Sequence, residues 1–246
     1  MAEQRHLNNA PIKEAVIEIR TIASDNFEIT TFDSESSGFQ LDGYSKKDIL
    51  KSREFKFTLK DSDIENQPTE PQLLGYRYCS NDQKYVVNFQ KTAFIFSRLQ
   101  PYEDWDTFKN EAKKLWDIYV DHAKPLKATR VATRFINVIN IPLPIRDFSD
   151  YLTTPPEIPK ELPQSLASFM FRMVLPDNDA KYFATITQSL EHAESNFVPL
   201  LLDIDVYIQR QMDINKAIWE HLDNLRVFKN KIFFSTLQEN TLSLFS

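Results

Sequence analysis

What this chain has little of narrows it first. A single cysteine, Cys79, among 246 residues excludes an internal disulfide and a cysteine-based zinc site. The opening residues lack the apolar run of a signal peptide, and nowhere is there a stretch of about 18 apolar residues able to span a bilayer. A cytoplasmic protein is therefore expected. No catalytic or nucleotide-binding signature occurs. Of the four histidines, His6 sits in the N-terminal segment, His122 ends a predicted helix where a cation suits the dipole, and His221 falls on a helical surface, so no triad is supported. Two of only three glycines, Gly38 and Gly43, cluster in a polar loop and hint at a flexible segment. Basic residues are outnumbered, and the net charge of −6 argues against nonspecific binding to phosphate backbones or anionic membranes while leaving room for a local basic patch.

What is present is a core: 42% of the residues are hydrophobic, enough for one large domain or two fused halves. The central stretch 75–141 organises the rest. Tyr76 and Tyr78 alternate with Arg77 and Cys79, the Ser80-Asn81-Asp82-Gln83 cluster turns the chain, and Tyr85, Val87 and Phe89 alternate again, which predicts a hairpin. Residues 93–99 add a third strand, and Pro101 marks its exit. From Asp104 the period changes. Phe108, Ala112, Leu115, Trp116, Tyr119, Val120 and Ala123 recur at three- and four-residue spacing, predicting an amphipathic helix that Pro125 stops. Residues 129–141 then return as a fourth strand.

Ahead of this lies a strand over 12–20, with Ala15, Ile17 and Ile19 on one face and Glu14, Val16, Glu18 and Arg20 on the other. Residues 32–74 read as a variable insertion, in which 44–60 could be helix or strand. Six prolines between 142 and 163 make a stiff connector. The second half repeats the order: strands near 168–174, 181–190 and 200–209, then a helix capped by Asn215 that turns Ile218, Leu222, Leu225, Phe228 and Ile232 inward. Ile232-Phe233-Phe234 could close it as a further strand. The expected architecture is an α+β fold of antiparallel sheets, each packed by a long amphipathic helix, with an internal pseudo-duplication: an N-terminal half (1–141), the connector (142–163) and a C-terminal half (164–246), packed as one unit.

Candidate site residues fall on strands. Glu14, Glu18 and Arg20 share one face of the first strand, and Arg130 and Arg134 share a face of the strand after the central helix. If the two strands are neighbours, these side chains form either a cross-strand ion-pair network or a polar ligand site. Asp203 and Asp205 share a face in the second half, where Arg172 could meet them from the adjoining strand. Paired carboxylates can hold a divalent cation, but a third ligand from His192, Glu220 or His221 has no spacing that demands metal, so neither a metal nor a cofactor is expected. Cys79 alternates with Arg77 on a strand and reads as a structural thiol. The aromatic strands could be a base-stacking platform, yet basic interleaving is thin and core packing is the simpler reading.

The opening Leu7-Asn8-Asn9-Ala10-Pro11-Ile12-Lys13-Glu14-Ala15-Val16-Ile17-Glu18-Ile19-Arg20 combines with the Phe96-Ser97-Arg98-Leu99-Gln100-Pro101-Tyr102 corner, Arg134-Phe135-Ile136-Asn137 and Leu202-Asp203-Ile204-Asp205-Val206. Together they resemble a family of uncharacterised, sporadically distributed bacterial and archaeal proteins, over nearly the whole chain. The resemblance carries no catalytic residue across. Its patchy occurrence is similar to that of defence systems and toxin–antitoxin pairs. The leading expectation is a non-enzymatic interaction or regulatory subunit, an antitoxin-like or anti-phage defence component that binds a protein partner or a second copy through an exposed sheet face or residues 32–74. The alternatives are a nucleic-acid binder or processing enzyme using Arg130, Arg134 and Arg172, and a small-ligand sensor with an apolar pocket.

Overall fold

The structure is a computed structural model that describes residues 5, 7–52, 55–60, 63–68, 70–164, 166–179, 181–190 and 196–245. Strand β1 (Ile12–Ile22) is followed by a 3-10 turn at Ile29–Phe32 and by β2 (Lys46–Ser52), β3 (Phe55–Lys60) and β4 (Asp63–Pro68). A meander of β5 (Gln72–Cys79), β6 (Tyr85–Gln90) and β7 (Ala93–Leu99) leads into helix α1 (Trp105–Ala123) and the long strand β8 (Lys127–Pro142). A second meander, β9 (Met170–Pro176), β10 (Phe183–Leu190) and β11 (Phe197–Met212), precedes α2 (Ala217–Thr236) and the short α3 (Glu239–Leu242).

All but β3 and β4 join one sheet of nine strands, ordered β2-β5-β6-β7-β1-β8-β11-β10-β9, and every pairing in it is antiparallel. This corrects the expected α+β fold of separate sheets, each with its own long helix and related by duplication. Among the described residues the molecule is mainly a single antiparallel sheet with three α-helices, none longer than 20 residues. The cause is β8. Its 16 residues do not return to the meander before α1; they pair with β1 along one side and β11 along the other, so neither half closes a sheet of its own. A second correction concerns the C-terminal aromatics: Phe233 and Phe234 lie in the last turns of α2 and form no strand.

Both principal helices cover the same face. Register places Phe96 opposite Ile17, Phe94 opposite Ile19 and Phe135 opposite Ala15, so these side chains project to one side. On that side Phe108 of α1 stacks on Phe96 with centroids 5.4 Å apart, and Trp116 meets Phe94 edge-on at 5.5 Å. Lys229 of α2 lies over the ring of Phe135 at 3.9 Å. The start of α1 is set locally: Asp104 accepts the Thr107 amide at 2.8 Å, satisfying a free first-turn donor, and Lys124 ends the helix in a left-handed conformation (φ 43°) just before Pro125. The helices are joined at the side by Asp223, which accepts from the Trp105 indole and from Lys109, both at 2.8 Å.

The segment between β1 and β2 completes the covered layer. Phe27, Ile29, Phe32, Phe39, Leu41 and Tyr44 are buried, and Phe32 stacks on Phe89 at 4.5 Å and on Tyr119 at 5.8 Å. Residues 44–60, which sequence left between helix and strand, contribute β2 and β3. Gly75 matters for the sheet itself, since a Cβ there would come 2.0 Å from the Phe89 carbonyl oxygen; only glycine lets β5 approach β6 this closely.

Candidate functional site

The face of the sheet opposite the helices carries the residues singled out from sequence. On β1, alternation sends Ala15, Ile17 and Ile19 into the core and Glu14, Val16, Glu18 and Arg20 to this open face. On β8 the open-face series is Arg130, Ala132, Arg134, Ile136, and on β11 it is Asp203, Asp205, Tyr207, as their register across β8 and β11 shows. Because β8 lies between β1 and β11, its arginines have acids on both sides. Arg130 Nη1 donates to Glu18 at 2.5 Å and Nη2 to Asp205 at 2.7 Å, while the guanidinium sits 4.6 Å from the centroid of the Tyr207 ring. Arg134 makes a two-pronged contact to Asp203, with distances of 2.8 and 2.5 Å. Arg20 also donates to Glu18.

Shelter is greatest at Arg130, whose side chain retains 11% of its exposure, whereas Arg134 keeps 47% and Arg20 60%. Burial pushes the Asp205 carboxyl above the usual range, against the pull of Arg130, whereas the hydrogen bond to Asp203 raises Arg134 further. Glu14 lies on the same face without an ion pair among the described residues and acts on Arg134 only at longer range. Chemically, the arrangement is a set of saturated charge pairs that ties β1, β8 and β11 together.

Arg172 does not join it. Strand β10 stands between β9 and β11, so Thr187 is the residue opposite Arg172 and Asp203 is one strand further away. Its guanidinium has no ion pair among the described residues. Nor can Glu220 or His221 meet Asp203 and Asp205, because α2 packs on the other face; the imidazole of His221 instead bonds the Tyr182 hydroxyl at 2.9 Å. His192 and His6 lie outside the described residues. Among the described residues no group of three His, Cys, Asp or Glu side chains could hold a metal ion, and no helix is long and apolar enough to cross a membrane.

The unsatisfied surface is at the two ends of the sheet, and they differ. The β2 edge carries Lys46, Lys47 and Lys51, charges of the kind that discourage pairing with another chain. The β9 edge reads Met-Phe-Arg-Met-Val-Leu-Pro, pairs with β10 without a bulge, and has no lysine. There Met170 is 78% exposed, Val174 49%, Phe171 45% and Leu175 41%. Register puts Met170, Arg172 and Val174 on the open face and Phe171, Met173 and Leu175 on the helix side, so large apolar groups stand in water on both faces of one strand.

No protein-family model matches the chain, and no curated protein shows significant similarity to it. Geometry is the ground for a functional reading. The strand periodicity that exposes β9 is legible in the sequence, but alternating Phe169, Phe171 and Met173 look like any half-buried strand. Nothing local says that β9 is the last strand. A second feature that sequence reasoning missed is Lys229. It falls four residues after Leu225 and seven after Leu222, a core position on α2, and is itself buried. The only available signal was a lysine on the apolar stripe.

Proposed function

We propose that this chain is a non-enzymatic protein-binding subunit whose β9 edge accepts an extended segment of a partner as a tenth strand. The single supporting observation is the edge itself: β9 ends the sheet, its outer side pairs with no further strand among the described residues, and Met170, Phe171, Val174 and Leu175 are exposed on its two faces. Strand addition satisfies the backbone groups, and alternate side chains of the incoming segment cover apolar surface on each face. Each large apolar side chain taken fully from water stabilises by roughly 1.5–3 kcal/mol, against which the ordering cost of association must be set. Arg172 specifies the partner's chemistry: an apolar segment with a carboxylate facing the open side, completing a guanidinium that has no acid among the described residues. A regulatory or antitoxin-like role is the biological form this binding would take.

The nucleic-acid reading needs free cations, and Arg130 and Arg134 are already held by Glu18, Asp205 and Asp203. The experiment places a photo-crosslinking residue at Val174 in the native host and captures the full chain after nuclease treatment. A discrete protein adduct, lost on Arg172→Glu and mapped to an extended segment containing Asp or Glu, is the expected result. An adduct of twice the chain's own mass would replace the partner by a second copy; a nucleic-acid adduct or none would sink the proposal.

A further inference from the structure

On α2, Arg226, Lys229, Asn230 and Phe233 recur at three- and four-residue spacing and therefore share one stripe. That stripe walls a cleft of about 580 Å³ on the helix side of the sheet, closed opposite by Tyr102 and Trp105 at the entry to α1 and floored by Phe135 and Asn137 of β8. The volume is of the size that holds a small organic molecule. Lys229 is only 9% exposed. Its amine rests 3.9 Å from the centroid of Phe135, and no carboxylate among the described residues lies within ion-pair distance.

The acids that border the cleft are committed elsewhere. Glu103 accepts from Arg98 at 2.7 Å, and Asp104 caps α1 through Thr107. Arg5, at the N-terminal rim, pairs with Glu239 at 2.9 Å. Arg226, half-buried on the same stripe, has its guanidinium 5.8 Å from the centroid of the Trp105 ring. A buried cation with no counter-ion is costly, and a lysine on an aromatic floor beside an arginine is suited to an anion attached to a flat apolar body.

We propose that this cleft binds a small aromatic carboxylate, its carboxylate held by Lys229 and Arg226 and its ring placed among Trp105, Tyr102 and Phe135. The site is separate from β9 and does not depend on partner binding there. Burial, reinforced by Arg226, pulls the Lys229 amine down to about 7, so at pH 8 much of it is neutral in the empty cleft. Arrival of a carboxylate favours the charged form. Binding therefore takes up a proton. The other charged or titratable groups bordering the amine are Arg226 from its own helix, Tyr102, Glu103 and Asp104 before α1, and Arg5 at the rim.

Calorimetry on the full chain at pH 8, in two buffers of different ionisation enthalpy, tests this with 3-phenylpropionate and indole-3-acetate as probes and 3-phenylpropionamide as the uncharged control. The expected result is binding of at least one acid with proton uptake, an amide about tenfold weaker or worse, and loss of acid binding in Lys229→Met. Should that variant fail to fold, Arg226→Gln, at a half-exposed position, is expected to weaken the acid by about tenfold. Equal affinity for acid and amide, binding unchanged in the folded variants, or no heat with either acid at millimolar concentration would overturn the site.

Discussion

Arg130 of β8 and Asp205 of β11 meet at 2.7 Å on the open face of the sheet, and the same guanidinium reaches back to Glu18 of β1. One side chain thus ties three strands that are far apart in sequence. Removing it leaves the largely buried Asp205 without its ion-pair partner and Glu18 with Arg20 alone. Arg130→Ala is expected to lower unfolding stability by about 3–5 kcal/mol, measured by urea titration, and Arg130→Lys to recover only part of this because a point charge cannot serve both acids.

The lysine of the cleft gives a pH signature. A base held below its unfolded value binds fewer protons in the folded state between the two values, so stability rises with pH across that window. For Lys229 the window runs from about 7 up to the ordinary lysine value of 10.5. Tyr44, Tyr102 and Tyr119 are all raised, chiefly by burial, so above their ordinary value of 10.0 the unfolded chain loses their protons first and stability turns down again. Thermal melts should therefore show stability increasing from neutral pH toward about pH 9, with a slope of at most about 1.4 kcal/mol per pH unit from this group. Lys229→Met should be more stable at pH 7 and lose the slope; an unchanged pH profile in that variant would remove Lys229 as its source.

Gly75→Ala tests the close approach of β5 to β6. The added methyl would meet the Phe89 carbonyl at 2.0 Å, a backbone atom that cannot turn aside. Strand separation is expected to cost about 1–3 kcal/mol. Hydrogen exchange should show faster opening of the Gly75–Gln90 end of this pair than of the Cys79–Val86 end.

Phe32 pins the segment between β1 and β2 to the covered face. It is fully buried and contacts Phe27, Phe39, Phe89 and Tyr119. Phe32→Ala should cost about 3–5 kcal/mol, as for other buried aromatics. Limited proteolysis of the variant should cut first within residues 33–45. Cleavage elsewhere would show that the segment between β1 and β2 does not depend on this ring.

How much of this could be read from the chain varies with the range of the interaction. The inward series Ala15, Ile17, Ile19 and the helix that begins after Asp104 follow from periodicity and a cap, both properties of a few neighbouring residues. Glu18, Arg130, Arg134, Asp203 and Asp205 could be chosen as candidates from alternation alone. That Arg130 serves β1 and β11 together could not, since it depends on β8 lying between them. Arg172 shows the converse: it shares a face with Asp203, but the intervening β10 denies it a partner. The short aromatic run Ile232-Phe233-Phe234 could be strand or helix by itself, and was decided by packing of α2 on β8 and β11.

By itself the sequence determined the main inward-facing residues of β1 and α1, where α1 begins, and that no disulfide forms within the chain, because these depend on side-chain order and composition. Tertiary structure alone decided that the halves share one nine-stranded sheet, that β9 is its end strand, and that Lys229 lies buried without a counter-ion among the described residues. Strand order is chosen by backbone pairing between distant segments, and the fate of a charge by what those pairings bring near it; neither is encoded within a short window of residues.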